Sequence, residues 1–201
     1  MANVFSNSVS VIDPSTNTVI ATITEPSNQT PRELAFNSHN GDIYVADVYS
    51  NTVSVIDGRT NTLVTSIPTG GSIVDGVAYD SINNNIYAVN AGSGTVSVID
   101  GTSNTVTGTI PVGSNPFEAA FDPDNGYIYV ANQGSSSVSV IDGSKNTVIA
   151  TIQGVPDPVQ LVYNPSNHYI YVAGHFSNSV SIIDTTTNKD AKQQRCIKEG
   201  L

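Results

Sequence analysis

One short sequence, returning five times in fixed phase, limits what this chain can fold into. Val9-Ser10-Val11-Ile12-Asp13 recurs at Val53–Asp57, Val96–Asp100 and Val138–Asp142, then with small changes at Val180-Ser181-Ile182-Ile183-Asp184. The Asp positions step by 44, 43, 42 and 42 residues. A second landmark, Ile43-Tyr44-Val45-Ala46, keeps the same phase at Ile86-Tyr87-Ala88-Val89, Ile128–Ala131 and Ile170–Ala173. Self-similarity at this period means one supersecondary unit stacked on copies of itself.

Each period holds four short β-rich runs separated by turn residues. In the fourth unit these are strand A at Phe117–Phe121, B at Tyr127–Ala131, C at Ser137–Ile141 and D at Thr147–Ile152. Strand C alternates Val138 and Val140 with Ser137 and Ser139, the pattern of a sheet with two unlike faces. Asp122-Pro123-Asp124-Asn125-Gly126 turns A into B, and Asp142-Gly143-Ser144-Lys145-Asn146 turns C into D. Four antiparallel strands cannot bury both faces alone, whereas face-to-face stacking around an axis does. The fold expected is therefore all-β, a β-propeller of four-stranded antiparallel blades.

The residues Ile-Tyr-Val-Ala-Asn, Ser-Val-Ser-Val-Ile-Asp and Asn-Thr-Val-Ile-Ala-Thr-Ile resemble the YVTN β-propeller repeats of archaeal surface-layer and exported bacterial proteins. The resemblance covers residues 1 to about 188. The Thr that gives those repeats their name is Ala at Ala46, Ala131 and Ala173, and the copy that starts at Ile86 reverses its middle pair as Ala88-Val89. What the resemblance implies is a non-enzymatic module at the cell surface or outside the cell, contacting protein or glycan or serving envelope structure. Lactonases and lyases on related propellers supply the alternative, a hydrolase or lyase whose remaining site residues lie in blades outside this chain.

Phase also sets the blade count. Met1–Ser8 aligns with Val172–Ser179, so the chain enters at the end of a strand B. A partial blade over 1–24 is followed by complete blades over 31–67, 73–110 and 115–152, then by A, B and C of a last one over 157–184. Residues 189–201 break the pattern in charge and periodicity and are expected to form a disordered or non-native tail. The ring is expected to be an open arc of a longer propeller, or to close by pairing of its termini. Two arcs pairing end to end as a homodimer would hide the exposed edges.

Charge narrows the partners. Residues 1–188 carry 15 acidic and 3 basic side chains, a body that repels phosphate backbones and argues against nucleic acid. No apolar run is long enough to insert in a membrane as a helix. Cys196, in the tail, is the only cysteine, so an intramolecular disulfide is excluded. Residues 1–4 carry no signal-peptide character. Asn28-Gln29-Thr30 is a glycosylation sequon, meaningful only outside the cell.

The repeats can be compared with one another. Positions common to all serve the blade, and positions that differ are free to serve a site. The A-to-B and C-to-D turns share one face, where Asp13, Asp57, Asp100, Asp142 and Asp184 read as turn formers. The B-to-C loops and D-to-A connections share the other, variable face. The candidate binding residues there are Arg32, Glu33, Tyr49, Asp75, Phe117, Glu118, Gln133, His175 and Phe176, with Gly76 and Val159-Gln160 at equivalent positions. Innermost strand A places the Arg32-Glu33, Asp75-Gly76, Phe117-Glu118 and Val159-Gln160 pairs near the axis. No catalytic constellation, cofactor site or metal site is expected. His39 and His168 fall in A-to-B turns, opposite His175. The acids near the axis make an uneven ring for a hard cation. Asp122–Gly126 lacks the later bidentate Glu of a calcium loop.

Overall fold

The computed structural model describes residues 1–26 and 29–195, with side chains given up to Lys189. Asn28 of the sequon and residues 196–201 of the tail, with Cys196, lie outside the described residues. Among the described residues nineteen strands form five antiparallel sheets, each meandering in chain order. The first sheet has β1 (Ala2–Asn3), β2 (Ser8–Asp13) and β3 (Thr18–Thr24). The second has β4 (Pro31–Phe36), β5 (Asp42–Asp47), β6 (Thr52–Asp57) and β7 (Thr62–Pro68). The third has β8 (Val74–Asp80), β9 (Asn85–Asn90), β10 (Thr95–Asp100) and β11 (Thr105–Pro111). The fourth has β12 (Pro116–Asp122), β13 (Tyr127–Asn132), β14 (Ser137–Asp142) and β15 (Thr147–Gln153). The fifth has β16 (Pro158–Asn164), β17 (Tyr169–Gly174), β18 (Ser179–Asp184) and β19 (Lys189–Arg195). The first strands β4, β8, β12 and β16 pack on one another in succession and form the inner wall of a partial propeller. The only helices among the described residues are two three-residue 3-10 turns, so none is long enough to cross a membrane.

The last strand corrects the reading of the tail over its first seven residues, 189–195. Lys189–Arg195 pairs with β18 in the register every other last strand uses, from Asp184↔Lys189 to Ser179↔Arg195. The reason lies in what that position demands. In β3, β11 and β15 only the sixth residue is buried, at Ile23, Ile110 and Ile152, and the rest of the strand is half-exposed or exposed. Backbone ladder bonds do not read side chains. The turn before β19 keeps its own signals: Asp184 Oδ1 accepts the Thr186 N–H at 2.9 Å, and Asn188 holds φ at 53°. A polar run therefore completes the sheet, with Gln194 in register where the others carry Ile.

Between sheets lie four apolar layers. Val9 and Ile23 meet Val45 and Ile56, and Tyr44, Val53 and Val55 meet Val77, Ile86 and Ile99. Tyr87, Val96 and Val98 meet Ile128 and Ile141, and Tyr129, Val138 and Val140 meet Ile170 and Ile183. At about 25 cal/mol per Å² of apolar surface removed from water, this burial is the main stabilising term. The serine face of the third strands is buried too. Ser54, Ser97 and Ser139 are at most 2% exposed. Each is matched by the residue ending the strand before. Asn90 Nδ2 donates to Ser97 Oγ and Asn132 Nδ2 to Ser139 Oγ, both at 2.9 Å, and Ser54 Oγ donates to Asp47 Oδ2 at 2.7 Å. Burying a hydroxyl is costly only when it has no partner.

The five turn aspartates take their expected role. Each accepts the backbone N–H two residues on, at 2.8–2.9 Å. All five carboxyls lie below the usual range, held there first by side-chain donors at Asp13 (Ser15), Asp142 (Lys145) and Asp184 (Thr186) and by backbone N–H groups at Asp57 and Asp100.

Candidate functional site

Local geometry explains why the variable segments converge. Four of the sheets begin just after a non-glycine residue at positive φ: Thr30 at 58°, Ile73 at 56°, Asn115 at 47° and Asp157 at 49°. The carbonyl of each accepts a backbone N–H from the residue after the second strand. The donors are Val48 (3.2 Å), Ala91 (2.8 Å), Gln133 (3.0 Å) and His175 (3.0 Å). This staple ties each B-to-C loop to the start of the innermost strand, so both variable segments form one surface.

The ladder then slips. Pairing jumps between Pro31 and Leu34, Val74 and Gly76, Pro116 and Ala119, and Pro158 and Gln160. The residues released are Arg32-Glu33, Asp75, Phe117-Glu118 and Val159. A bulge re-aims side chains that regular pairing would hold along the strand. Here it turns them together around a cavity of about 250 Å³, lined by Arg32, Glu33, Asp75, Phe117, Glu118, Val159, Gln160 and His175. Gly76 permits the close approach of β8 and β12, since a Cβ there would lie 2.9 Å from the Phe117 carbonyl oxygen and 3.0 Å from Glu118 Cα.

Arg32 organises this cavity. Its guanidinium contacts Asp75 Oδ1 at 2.5 Å and lies 4.1 Å from the centre of the Phe117 ring, joining three sheets through one side chain. The arginine is partly exposed while Asp75 is nearly buried, so the pair sits at the cavity wall rather than in open solvent. Burial raises the Asp75 pKa and the Arg32 charge opposes that. Glu118 is pushed up to about 7 by burial and then by the charge of Glu33, with Arg32 and Gln160 pulling the other way. Burial raises Glu33 as well. Near neutral pH the cavity therefore offers in Glu118 a carboxyl that both donates and accepts hydrogen bonds, beside an aromatic face and a paired cation.

Of the nine candidates, Arg32, Glu33, Asp75, Phe117, Glu118 and His175 line this one cavity. Tyr49 is 73% exposed and lines an adjoining cleft with Arg32, Val4 and Phe5. Phe176, 76% exposed, stacks on His175 with ring centres 4.0 Å apart, and its N–H donates to Asp157 Oδ2 at 2.6 Å. Gln133 stands apart, accepting from Asn115 Nδ2 at 2.8 Å within its own blade. Gln160, weak by residue type, completes the lining through its repeat position alone. Among the described residues no three His, Cys, Asp or Glu side chains gather in a metal-binding group.

A second polar site gave no signal in the repeats. Glu25, 4% exposed, sits beside the fully buried Asp47. Burial and the charge of Asp47 hold the Glu25 carboxyl well above the usual range. Asp47 occupies the position of Asn90 and Asn132, so only this blade brings a carboxylate there.

Comparison with known proteins agrees with the blades. No curated protein matches the chain. Solved structures do, and one of them, titled Kuenenia stuttgartiensis Hydrazine Synthase, superposes with a TM-score of 0.76 at 20% identity. The match covers 88% of this chain and 52% of that one, so the chain spans about half its length. That likeness concerns the fold alone. The sequence profile of one family, described as YNCE-like beta-propeller, matches residues 63–198, more than half the chain and including β19. With its stacked four-stranded blades and bulged inner strands, this chain belongs to the YNCE-like β-propeller family.

Proposed function

We propose that this chain is a non-enzymatic binding module, acting at the cell surface or outside the cell, that holds a protein or glycan ligand at the axial end of its variable face. The observation that carries the reading is the convergence of the residues that differ between repeats. Arg32, Asp75, Phe117 and Glu118 come from three sheets and meet in one cavity, while the opposite face repeats the same Asp turns. Sites built on loops over a rigid scaffold are the usual arrangement for recognition. A surface-layer or envelope setting rests on the resemblance of the repeats.

The chemistry favours a ligand carrying hydroxyl or amine groups. A sugar ring or a basic side chain stacks on an aromatic face and bonds to carboxyls such as Glu33 and Glu118. The test is binding of the purified chain to arrayed glycans and peptides, with Phe117→Ala and Glu118→Gln beside the wild type. Ligands retained by wild type and lost by both variants support the reading. Binding unchanged in both variants, or none in wild type, contradicts it.

A further inference from the structure

The boundary between the first two sheets carries more oxygen than hydrogen. In the third and fourth sheets the second strand ends on an asparagine that supplies hydrogens. Asn90 Nδ2 donates to Thr95 Oγ1 and Ser97 Oγ, and Asn132 Nδ2 to Ser137 Oγ and Ser139 Oγ. In the second sheet that position is Asp47, which as a carboxylate donates nothing. The connection into this sheet adds a second carboxylate, Glu25, where the next two connections carry Thr69 and Val112. One backbone bond fixes all three. The N–H groups of Glu25, Thr69 and Val112 donate to the carbonyls of Asn7, Asn51 and Gly94 at 2.9, 3.1 and 3.0 Å.

A count of hydrogens shows what the pair lacks. Among the described residues five buried side-chain oxygens have no hydrogen-bond partner, and three of them are Glu25 Oε1, Glu25 Oε2 and Asp47 Oδ1. Glu25 is 4% exposed and Asp47 fully buried, so bulk solvent does not serve them. The neighbouring hydroxyls are already committed. Ser54 Oγ has one hydrogen for Asp47 Oδ2 at 2.7 Å and Gln29 Oε1 at 2.8 Å, and Thr52 Oγ1 donates to Asp47 Oδ2 at 3.2 Å. A single proton shared between the two carboxyls serves two of the three orphaned oxygens. A divalent cation serves all three and balances both charges, which buried carboxylates require.

We infer that Glu25 and Asp47 hold a calcium ion between the first and second sheets, with the buried amide oxygen of Gln29 as a further ligand. The available donors are oxygens of carboxylate, amide and hydroxyl type, the set that suits a hard cation. A buried set supplied by the protein favours calcium, since magnesium keeps several of its waters. The ion ties the connection carrying Glu25 and Gln29 to the end of β5, where the other blades use an asparagine.

The test uses the whole chain, stripped with a chelator and then given calcium alone. Calorimetric titration should show one ion per chain, and saturating calcium should raise Tm by about 5 °C or more. Asp47→Asn installs the residue that the next two blades carry. It should therefore fold without calcium, with unchanged circular dichroism, and bind the ion at least about tenfold more weakly, because affinity follows the charge of the ligand set. Glu25→Gln should weaken binding similarly. No binding to wild type at millimolar calcium overturns the inference and leaves the pair sharing a proton only. Binding kept in Asp47→Asn but lost in Glu33→Gln or Glu118→Gln also overturns it, by placing the ion in the axial cavity.

Discussion

The Tyr129 hydroxyl reaches across a sheet boundary to Asn188 Oδ1 at 2.6 Å, and its ring is fully buried between Ile170 and Ile183. One side chain thus joins an apolar layer to a polar turn, and the same pairing recurs at every inner boundary that has both partners.

Removing one hydroxyl therefore isolates the polar half. Tyr87→Phe keeps the ring in its layer but leaves Asn146 Oδ1 without its donor. The expected cost is about 1–2 kcal/mol, a fall in Tm of roughly 2–8 °C for a chain of this size. Thermal unfolding followed by circular dichroism checks it, and Asn146→Ala should cost a similar amount without adding fully to it, because the two act through one bond.

Ile73 is a stored strain. It holds φ at 56°, a conformation unfavourable for a β-branched residue, where the next two blades carry Asn115 and Asp157. Ile73→Asn is expected to stabilise by about 1 kcal/mol. Chemical denaturation with an unchanged slope and a higher midpoint is the expected result.

The Glu25 and Asp47 pair makes stability depend on pH. Both carboxyls are raised by burial, so the folded chain keeps a proton that the unfolded chain releases above the ordinary carboxylate range. Stability contributed by that difference is fully present at acid pH and is lost as pH rises toward neutrality and beyond. Glu25→Gln removes the titration. Wild type should lose stability relative to the variant between weakly acid and weakly alkaline pH, measured as the gap between their denaturant midpoints.

Gly76 tests the packing beneath the cavity. A methyl there meets backbone atoms of β12 at 2.9–3.0 Å, which cannot rotate away. Gly76→Ala is expected to destabilise by about 1–3 kcal/mol, as overpacking does. It should also loosen the Arg32 and Phe117 contact, seen as a change in the Phe117 ring resonances by NMR.

The blades were legible because their signals recur. Ser-Val-Ser-Val-Ile-Asp and Ile-Tyr-Val-Ala locate two strands per blade and fix the phase of the others. The axial residues were legible by subtraction, since Arg32, Asp75 and Phe117 occupy one repeat position with three different side chains. Lys189–Arg195 was not, because an outer strand pairs through its backbone and needs only one apolar residue, which this copy lacks. The buried role of Ser54, Ser97 and Ser139 was hidden for a different reason. Alternation of Val and Ser is the same whether the serine meets water or an Asn from the neighbouring strand. Glu25 lies between blades, where no repeat position marks it.

The decisive measurement is the titration of Glu118 by NMR of its side-chain carboxyl. If the bulged inner strands assemble a buried axial cavity, its midpoint lies at about 7, and Glu33→Gln moves it downward by removing the neighbouring charge. A midpoint in the ordinary glutamate range, indifferent to Glu33, would contradict the burial of Glu118 beside Glu33 on which the account of the axial site rests.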